Sequence, residues 1–176
     1  MGSFIPLFNT LLALGIIGLQ IIIVVLWLLV LSKKGDLILA FFAKQAFLFS
    51  FIIALGSTLV SLYYSLIIGF TPCDLCWYQR IFMYPLVILF GIALWKKDNG
   101  VIKYGLALSS VGAIIAFYNS YLQYGGSPLL PCGIDVNAVS CGVRYIFEFG
   151  YVTLPLMSLT GFVFIVTILF LRHRQK

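Results

Sequence analysis

Apolar residues along the chain fall into five runs, and polar or turn-rich segments separate them. A helix needs about 20 apolar residues to cross the hydrocarbon core of a bilayer, and each run is close to that length. The runs cover approximately residues 10–31, 46–69, 78–95, 102–123 and 152–171. Backbone groups inside a bilayer must be hydrogen-bonded within their own segment, and the alternation typical of a barrel is absent, so the pattern predicts five membrane-spanning helices.

The composition agrees with a lipid-embedded chain. Hydrophobic residues make up 62% of the 176 positions and charged residues only 9%, whereas soluble domains carry about 25% charge. A water-soluble core in so short a chain could not cover this much apolar surface. The predicted fold class is therefore an all-α integral membrane protein.

The positive charges stand at the ends of the hydrophobic runs. The net charge is +6, and nine of the eleven Lys and Arg residues form three groups that flank the runs. The nine are Lys33, Lys34, Lys44, Lys96, Lys97, Lys103, Arg172, Arg174 and Lys176. Such clusters mark the cytoplasmic ends of membrane helices. This distribution favours membrane lipid as the partner of the basic residues and argues against nucleic acid.

The first run is expected to remain in the mature protein. It has no basic residue before it, is too long for the apolar part of a signal peptide, and shows no small-residue cleavage site before Lys33. Its N-terminus is then expected outside, and strict alternation of the five spans places segments 70–77 and 124–151 outside as well. All four cysteines fall in those two segments, in a compartment where disulfides form and persist.

The four cysteines are grouped along the sequence as Cys73 with Cys76 and Cys132 with Cys141. Three connectivities are possible in principle, and the one that joins the two local pairs closes the shortest loops at the least entropic cost. Short loops gain little stability from a cross-link, so reactive disulfides explain the pattern better than structural ones. A zinc site of four cysteines is disfavoured by the oxidising location.

The surroundings of the first pair favour a reactive thiolate. Pro72 is expected to end the preceding helix and Asp74 to act as the N-cap of the next one. Cys76 would then lie in the first turn, where the helix dipole stabilises negative charge. Arg80 follows four residues later on the same helix face. An arginine at this depth needs a partner or a task, although it could also extend to the lipid headgroups.

The second pair lies in the segment "LLPCGIDVNAVSCG", whose prolines and glycines indicate a loop. Thiol–disulfide exchange proceeds through mixed disulfides, so two pairs in one compartment suggest a relay, with a passive loop disulfide as the alternative. The following "RYIFEFGY" is interpreted as a short amphipathic piece on the outer surface. Arg144 and Glu148 within it are expected to be surface charges.

The stretch "PCDLCWYQRIFMYPLVILFGIA", followed by a helix and a loop pair in "PC…SCG", closely resembles the DsbB family of quinone-dependent thiol oxidases, nearest its short-loop C-type branch. The resemblance covers about residues 46–172 and implies a four-helix transmembrane bundle. The chain is accordingly divided into residues 1–45, an extra N-terminal transmembrane helix with a cytoplasmic link, and residues 46–176, the redox domain with its outer loops.

The resemblance also implies an electron path in a bacterial cell membrane. An extracytoplasmic thioredoxin-fold thiol oxidase, DsbA-like, would give electrons to Cys132 and Cys141, with Cys132 favoured for the mixed disulfide. The electrons would pass to Cys73 and Cys76 and then to a membrane quinone, ubiquinone or menaquinone. Cys76 would be the thiolate beside the quinone, and Arg80 would polarise it.

The chain departs from the family pattern in two places. The helix at 10–31 lies outside the usual four and is expected to be an anchor or a contact surface for a partner. Many relatives carry a histidine near the outer end of the helix matching 102–123, where this chain reads "FYNSYLQY". Asn119, Ser120 and Gln123 are the candidates for replacing its hydrogen bond.

A second functional class stays open at this level. The chain could be a non-catalytic membrane scaffold with two structural disulfides. Transport is poorly supported because the spans carry almost no ionisable residues at mid-depth.

Overall fold

The computed structural model describes residues 4–127 and 140–174, in which six α-helices and one π-helical turn are found. The helices are α1 (Phe4–Ser32), α2 (Asp36–Lys44), α3 (Ala46–Leu62), α4 (Asp74–Lys96), α5 (Val101–Gln123) and α6 (Leu154–Arg174). The π-helical turn, Tyr63–Ile67, continues α3. Apart from the isolated bridge between Glu148 and Val152, the described residues contain no β-structure. Five of the helical spans are long and apolar enough to cross a membrane, which confirms the predicted fold class.

The start of α4 differs from the prediction. The helix begins at Asp74, one residue earlier than an N-cap at Asp74 implies, and Cys76 lies in its first turn as predicted. Cys73 has extended backbone angles and is the N-cap, and Asp74 lies in the first turn without capping it. The expected N-cap role of Asp74 is therefore wrong by one position. Its carboxylate still complements the positive end of the helix dipole.

The preceding helix ends earlier than the sequence suggested. The π-helical turn stops at Ile67, and Gly69 then adopts a left-handed backbone (φ 83°). Glycine takes this conformation without the steric penalty that a side chain brings. Gly69, and not Pro72, thus redirects the chain toward the cysteines.

The helix α2 was not predicted, because nine residues are too few to span a bilayer and the segment was interpreted as a link. Gly35 precedes it with φ 82°. Leu39 and Ala43, one turn apart, are buried in a cluster with residues of α1 and α6, including Leu26 and Ile168. Tertiary burial of this narrow stripe stabilises the short helix.

The bundle core is formed by α3, α4, α5 and α6. Phe90 of α4 and Phe162, Ile165 and Leu169 of α6 are fully buried in one cluster. At Gly112 on α5, an added Cβ would lie 2.4 Å from the ring of Phe162. A glycine here allows close helix contact, as small residues do in membrane bundles.

The first helix is attached to this bundle in a defined register. It packs against α6 and α2, and three interhelical hydrogen bonds hold it along its length. They are Tyr64 Oη to Asn9 Oδ1 (2.6 Å), Gln20 Nε2 to Thr160 Oγ1 (3.1 Å) and Trp27 Nε1 to Thr167 Oγ1 (3.2 Å). Each such bond in a bilayer contributes about 0.6–2 kcal/mol. The extra helix is thus a docked part of the molecule.

Candidate redox site

Cys73 and Cys76 form a free dithiol at the start of α4, with their Sγ atoms 2.9 Å apart. Cys76 lies in the first turn, where unpaired backbone N–H groups and the helix dipole stabilise a thiolate. The pKa of Cys73 is raised, first by its hydrogen bond with Cys76 and then by burial. This geometry favours the protonated form of Cys73, and it places the Cys76 sulfur at the positive end of the helix.

A buried amide on α5 approaches the Cys76 sulfur. Asn119 is fully buried, and its Nδ2 lies 3.6 Å from Cys76 Sγ. The two other candidates named from the sequence bond elsewhere: Ser120 Oγ donates to the carbonyl of Ala116, and Gln123 Nε2 donates to that of Val143. Of the three, Asn119 contacts the dithiol.

Arg80 lies one turn beyond Cys76 and is fixed by the segment that ends α3. Its Nε donates to Ser61 Oγ at 2.9 Å, and its Nη2 donates to Ser65 Oγ at 2.7 Å and to the Ser61 carbonyl at 3.2 Å. The guanidinium also lies 4.9 Å from the ring centroid of Trp77. These contacts are all with neutral groups, so they position the positive charge without cancelling it.

Sequence reasoning missed Ser61 and Ser65. The second lies in the π-helical turn, and its Oγ donates to the Ser61 carbonyl at 2.9 Å. π-helical turns occur frequently at functional sites. The sequence does contain a signal for them: two serines four residues apart, near the end of an apolar span. They lie at about the membrane depth of Arg80, which needs hydrogen-bond acceptors.

An apolar cavity of about 610 Å³ opens beside these groups, between α1, α3, α4 and α6. Five residues of α4 line it at helical spacing, so they form one stripe. They are Cys76, Gln79, Arg80, Met83 and Tyr84. Ser61 and Ser65 line the same end from the opposite side. The cavity is therefore polar near the dithiol and mostly apolar elsewhere, with Ser57 and Ser158 among its lining residues farther down.

The lining fits a quinone, which presents carbonyl oxygens on a flat apolar ring. Gln79 Nε2 and the Tyr84 hydroxyl are buried and have no hydrogen-bond partner within residues 4–127 and 140–174. Together with Arg80, they form a set of donors beside an apolar space. Burying such donors unpaired costs about 1–3 kcal/mol each, so a ligand with oxygen acceptors would relieve that cost.

The second cysteine pair is only partly within the described residues. Cys132 lies outside them, and Cys141 is disulfide-bonded. Cys141 is 2% exposed and belongs to one buried cluster with Cys73 and Leu122. Three of the four predicted cysteines are thus brought together at one end of the bundle.

The segment after Cys141 folds back onto the approach to Cys73. The ring of Tyr145 stacks on Phe70 at 4.4 Å, and its hydroxyl donates to the carbonyl of Thr71 at 3.1 Å. Ile146 is buried, and a turn closed by the bridge between Glu148 and Val152 follows. The piece predicted to be amphipathic is therefore a compact turn anchored beside the dithiol.

The opposite end of the bundle collects the basic residues. The Arg172 guanidinium donates to Asn99 Oδ1 and to the carbonyls of Ala43 and Lys44. These contacts bring the ends of α2 and α6 to the start of α5, next to Lys96 and Lys97 at the end of α4. The lysine-rich clusters and the described cysteines thus occupy opposite ends of the bundle.

Comparison with known proteins gives a consistent result. A family profile described as disulfide bond formation protein DsbB matches residues 43–171. The SPbeta prophage-derived disulfide bond formation protein B of Bacillus subtilis (strain 168) is 45% identical over 124 residues, covering 70% of this chain and 82% of that protein. Disulfide bond formation protein C of the same strain is 42% identical over 130 residues, covering 72% and 91%.

A probable disulfide formation protein of Oceanobacillus iheyensis is 36% identical over 148 residues, covering 83% of this chain and 97% of its own length. No solved structure matches the chain. The family match begins at residue 43, so the whole of α1 precedes it.

Proposed function

The chain belongs to the DsbB family of disulfide bond formation proteins, and we propose that it reoxidises an extracytoplasmic thioredoxin-fold thiol oxidase and passes the electrons to a membrane quinone. The observation that carries this proposal is the position of Cys76. Its sulfur contacts Cys73 on one side, and the residue lines an apolar cavity that Arg80 also lines. A scaffold with structural disulfides needs neither a free dithiol nor the cavity.

The residues around Cys76 are suited to handling negative charge. The α4 N-terminus and Asn119 stabilise the thiolate, and Cys73 holds the proton of the pair. Arg80, Gln79 and Tyr84 would hold the quinone oxygens, with Arg80 supplying the charge that favours reduction. A bound quinone would accept two electrons and two protons as the Cys73–Cys76 dithiol closes to a disulfide.

The exchange with the partner would begin at the loop pair. A partner thiolate attacks the Cys132–Cys141 disulfide at Cys132, which forms a mixed disulfide and frees Cys141 as a thiolate. The second partner thiol then attacks the mixed disulfide, which oxidises the partner and frees Cys132. This loop dithiol in turn reduces the Cys73–Cys76 disulfide, so each step transfers one disulfide and consumes nothing else. Burial of Cys141 supports attack at Cys132, because Cys141 is only 2% exposed and a partner protein could not reach its sulfur.

The membrane arrangement is part of the same proposal. The basic end of the bundle faces the cytoplasm of a bacterial cell, following the positive-inside bias, and the cysteine end faces outward. Residues 46–176 form the redox domain, and residues 1–45 are an addition to it. Thiol labelling of intact cells with an impermeant maleimide tests this orientation: Cys76 and Cys132 should both react after mild reduction.

Turnover tests the function directly. Purified protein is mixed with a reduced thioredoxin-fold partner and either menaquinone-4 or ubiquinone-2, and quinone absorbance is followed. We expect reduction with wild-type protein and none with Cys76→Ser. The Gly18→Ala variant, which alters a glycine outside the cavity, is the control. Stable disulfides with no quinone reduction by the wild-type protein would favour the scaffold.

A further inference from the structure

The first helix contributes a continuous stripe to the cavity wall. Six residues of α1 line the cavity at positions i, i+3, i+4, i+7, i+8 and i+11, which lie on one helix face. They are Phe8, Leu11, Leu12, Gly15, Ile16 and Leu19. All six are apolar or lack a side chain. The family match begins only at residue 43, so this wall is an addition to the part of the chain that the family defines.

The cavity is longer than the head of a quinone. The stripe from Phe8 to Leu19 covers eleven residue steps, or about 16 Å at the rise of an α-helix. On the facing helix the lining runs from Ser65 down to Ile52, a comparable distance. Arg80, Gln79, Ser61 and Ser65 line the upper end, beside Cys76, whereas Ser57, Tyr84 and Ser158 line the cavity farther down. The α1 wall is apolar over its whole length.

The position of α1 against this space is fixed at both ends. Above, Asn9 accepts the Tyr64 hydroxyl hydrogen bond at 2.6 Å, and Phe8 packs edge-on against Tyr63 at 5.1 Å. Below, Gln20 donates to Thr160 on α6 at 3.1 Å. The stripe between these contacts is therefore held at a set distance from α3 rather than pressed onto it.

We propose that α1 determines which quinones bind, an inference that rests on the proposed function. The polyisoprenoid tail of the quinone runs along the α1 stripe while its ring lies beside Cys76 and Arg80. A tailed quinone fits this space because one continuous cavity joins hydrogen-bond donors to a long apolar groove. A molecule with a polar head and an apolar tail would occupy both parts at once. The extra helix thus selects quinones by their tails.

Two glycines of α1 provide a matched test. A Cβ added at Gly15 or at Gly18 would meet no heavy atom within 4 Å, but only Gly15 lines the cavity. Both changes to leucine remove the same helix-weakening glycine. Gly15→Leu fills the groove, and Gly18→Leu does not.

Binding is measured with the purified full-length variants, using menaquinone-4 as the tailed probe and menadione as the probe that lacks a tail. Quenching of tryptophan fluorescence gives each Kd, expressed as a mole fraction in the detergent so that partitioning of the tail is removed. We expect Gly15→Leu to weaken menaquinone-4 binding about tenfold and menadione binding less than twofold. Gly18→Leu should bind both probes as the wild type does.

The outcomes separate the possibilities. Equal weakening of both probes by Gly15→Leu would mean that α1 only maintains the bundle, and unchanged binding of both would place the tail elsewhere; either overturns the inference. Wild-type protein that binds menaquinone-4 no tighter than menadione would assign the groove to a lipid acyl chain, which also overturns it. Wild-type protein that binds neither probe would overturn the proposed function itself.

Discussion

Each end of the bundle is organised by an arginine and an asparagine. At one end Arg80 bonds to Ser61 and Ser65 and lies over Trp77, and Asn119 approaches Cys76. At the other end Arg172 bonds to Asn99 and to two helix-terminal carbonyls, and lies over Phe47 at 4.2 Å. The local chemistry is nearly the same at both ends.

The two ends differ in what lies beside the charge. Arg172 joins the ends of three helices and is surrounded by groups that complete its hydrogen bonding. Arg80 lines the 610 Å³ cavity next to a free dithiol. The Gln79 amide and the Tyr84 hydroxyl line the same cavity and have no hydrogen-bond partner in the described part of the chain. An arginine that closes helix ends contributes stability, whereas one that faces an apolar cavity is placed to act on a ligand. Under the proposed function, the Arg172 end is structural and the Arg80 end carries the chemistry, and the following predictions test that division.

The largest contrast is expected from removing each arginine. Arg80→Ala should lower kcat/KM for quinone reduction about 100-fold, the effect of losing one preorganised electrostatic group, without preventing membrane insertion. Arg172→Ala should change the rate less than twofold and lower the free energy of unfolding by about 2 kcal/mol, because charged hydrogen bonds are lost. Turnover and thermal unfolding in detergent measure the two effects. Parallel losses in both variants would contradict the assignment.

A smaller effect is expected when the charge at Arg80 is kept and its shape is changed. Lysine cannot bridge Ser61 and Ser65 with a planar fork, so Arg80→Lys should lose about tenfold in turnover with near-normal stability. Arg172→Lys serves as the matched change at the other end and should leave turnover unaffected. Full activity of Arg80→Lys would mean that charge alone suffices.

Substituting Asn119 and Asn99 should give the same contrast, with an effect on reactivity at one end and on stability at the other. Asn119→Ala removes the amide beside the Cys76 sulfur, and we expect about a fivefold slower alkylation of Cys76 at neutral pH and a similar drop in turnover. Asn99→Ala removes the acceptor of Arg172 and should lower stability alone. Iodoacetamide labelling followed by mass spectrometry gives the alkylation rates. An Asn119→Ala protein that labels at the wild-type rate would remove Asn119 from the site.

Much of this arrangement could be predicted from the sequence because it depends on hydropathy and short spacing. Five apolar runs gave five spans, and a four-residue interval placed Arg80 on the face of Cys76. What escaped prediction depends on tertiary contact. The helix α2 is stabilised by burial of Leu39 and Ala43. Ser61 and Ser65 can be recognised as site residues only once Arg80 is seen to donate hydrogen bonds to them from another helix.

The position of α1 as a wall of the cavity could not be predicted for the same reason. Its stripe is apolar, and the exposed face of the same helix is apolar too, so hydropathy does not distinguish a cavity wall from a lipid-facing surface. The hydrogen bonds that position α1 join Asn9 to Tyr64 and Gln20 to Thr160, and both partners lie far away in the sequence.

The smallest effect concerns which of the two sulfurs, Cys73 or Cys76, holds the proton of the pair. Among the described residues, the basic end of the bundle has no comparable pair of groups. An ordinary cysteine titrates near pH 8.5. In the folded protein the pKa of Cys73 is raised above that value, first by its hydrogen bond with Cys76 and then by burial. Thiolate is the reactive form, so the alkylation rate of Cys73 should keep rising up to pH 9.5 without levelling off.

The measurement uses the Cys132→Ser/Cys141→Ser variant, so that only the dithiol reacts, with labelling rates at each cysteine followed from pH 6 to 9.5. Limited access to a buried sulfur lowers the rate by the same factor at every pH, so the pH at which the curve levels off reports titration and not exposure. Urea-unfolded protein is the control and should level off near pH 8.5 at both positions. A Cys73 curve that levels off there in the folded protein would show that Cys73 does not hold the proton of the pair, and the proposed roles of the two sulfurs would have to be exchanged or shared.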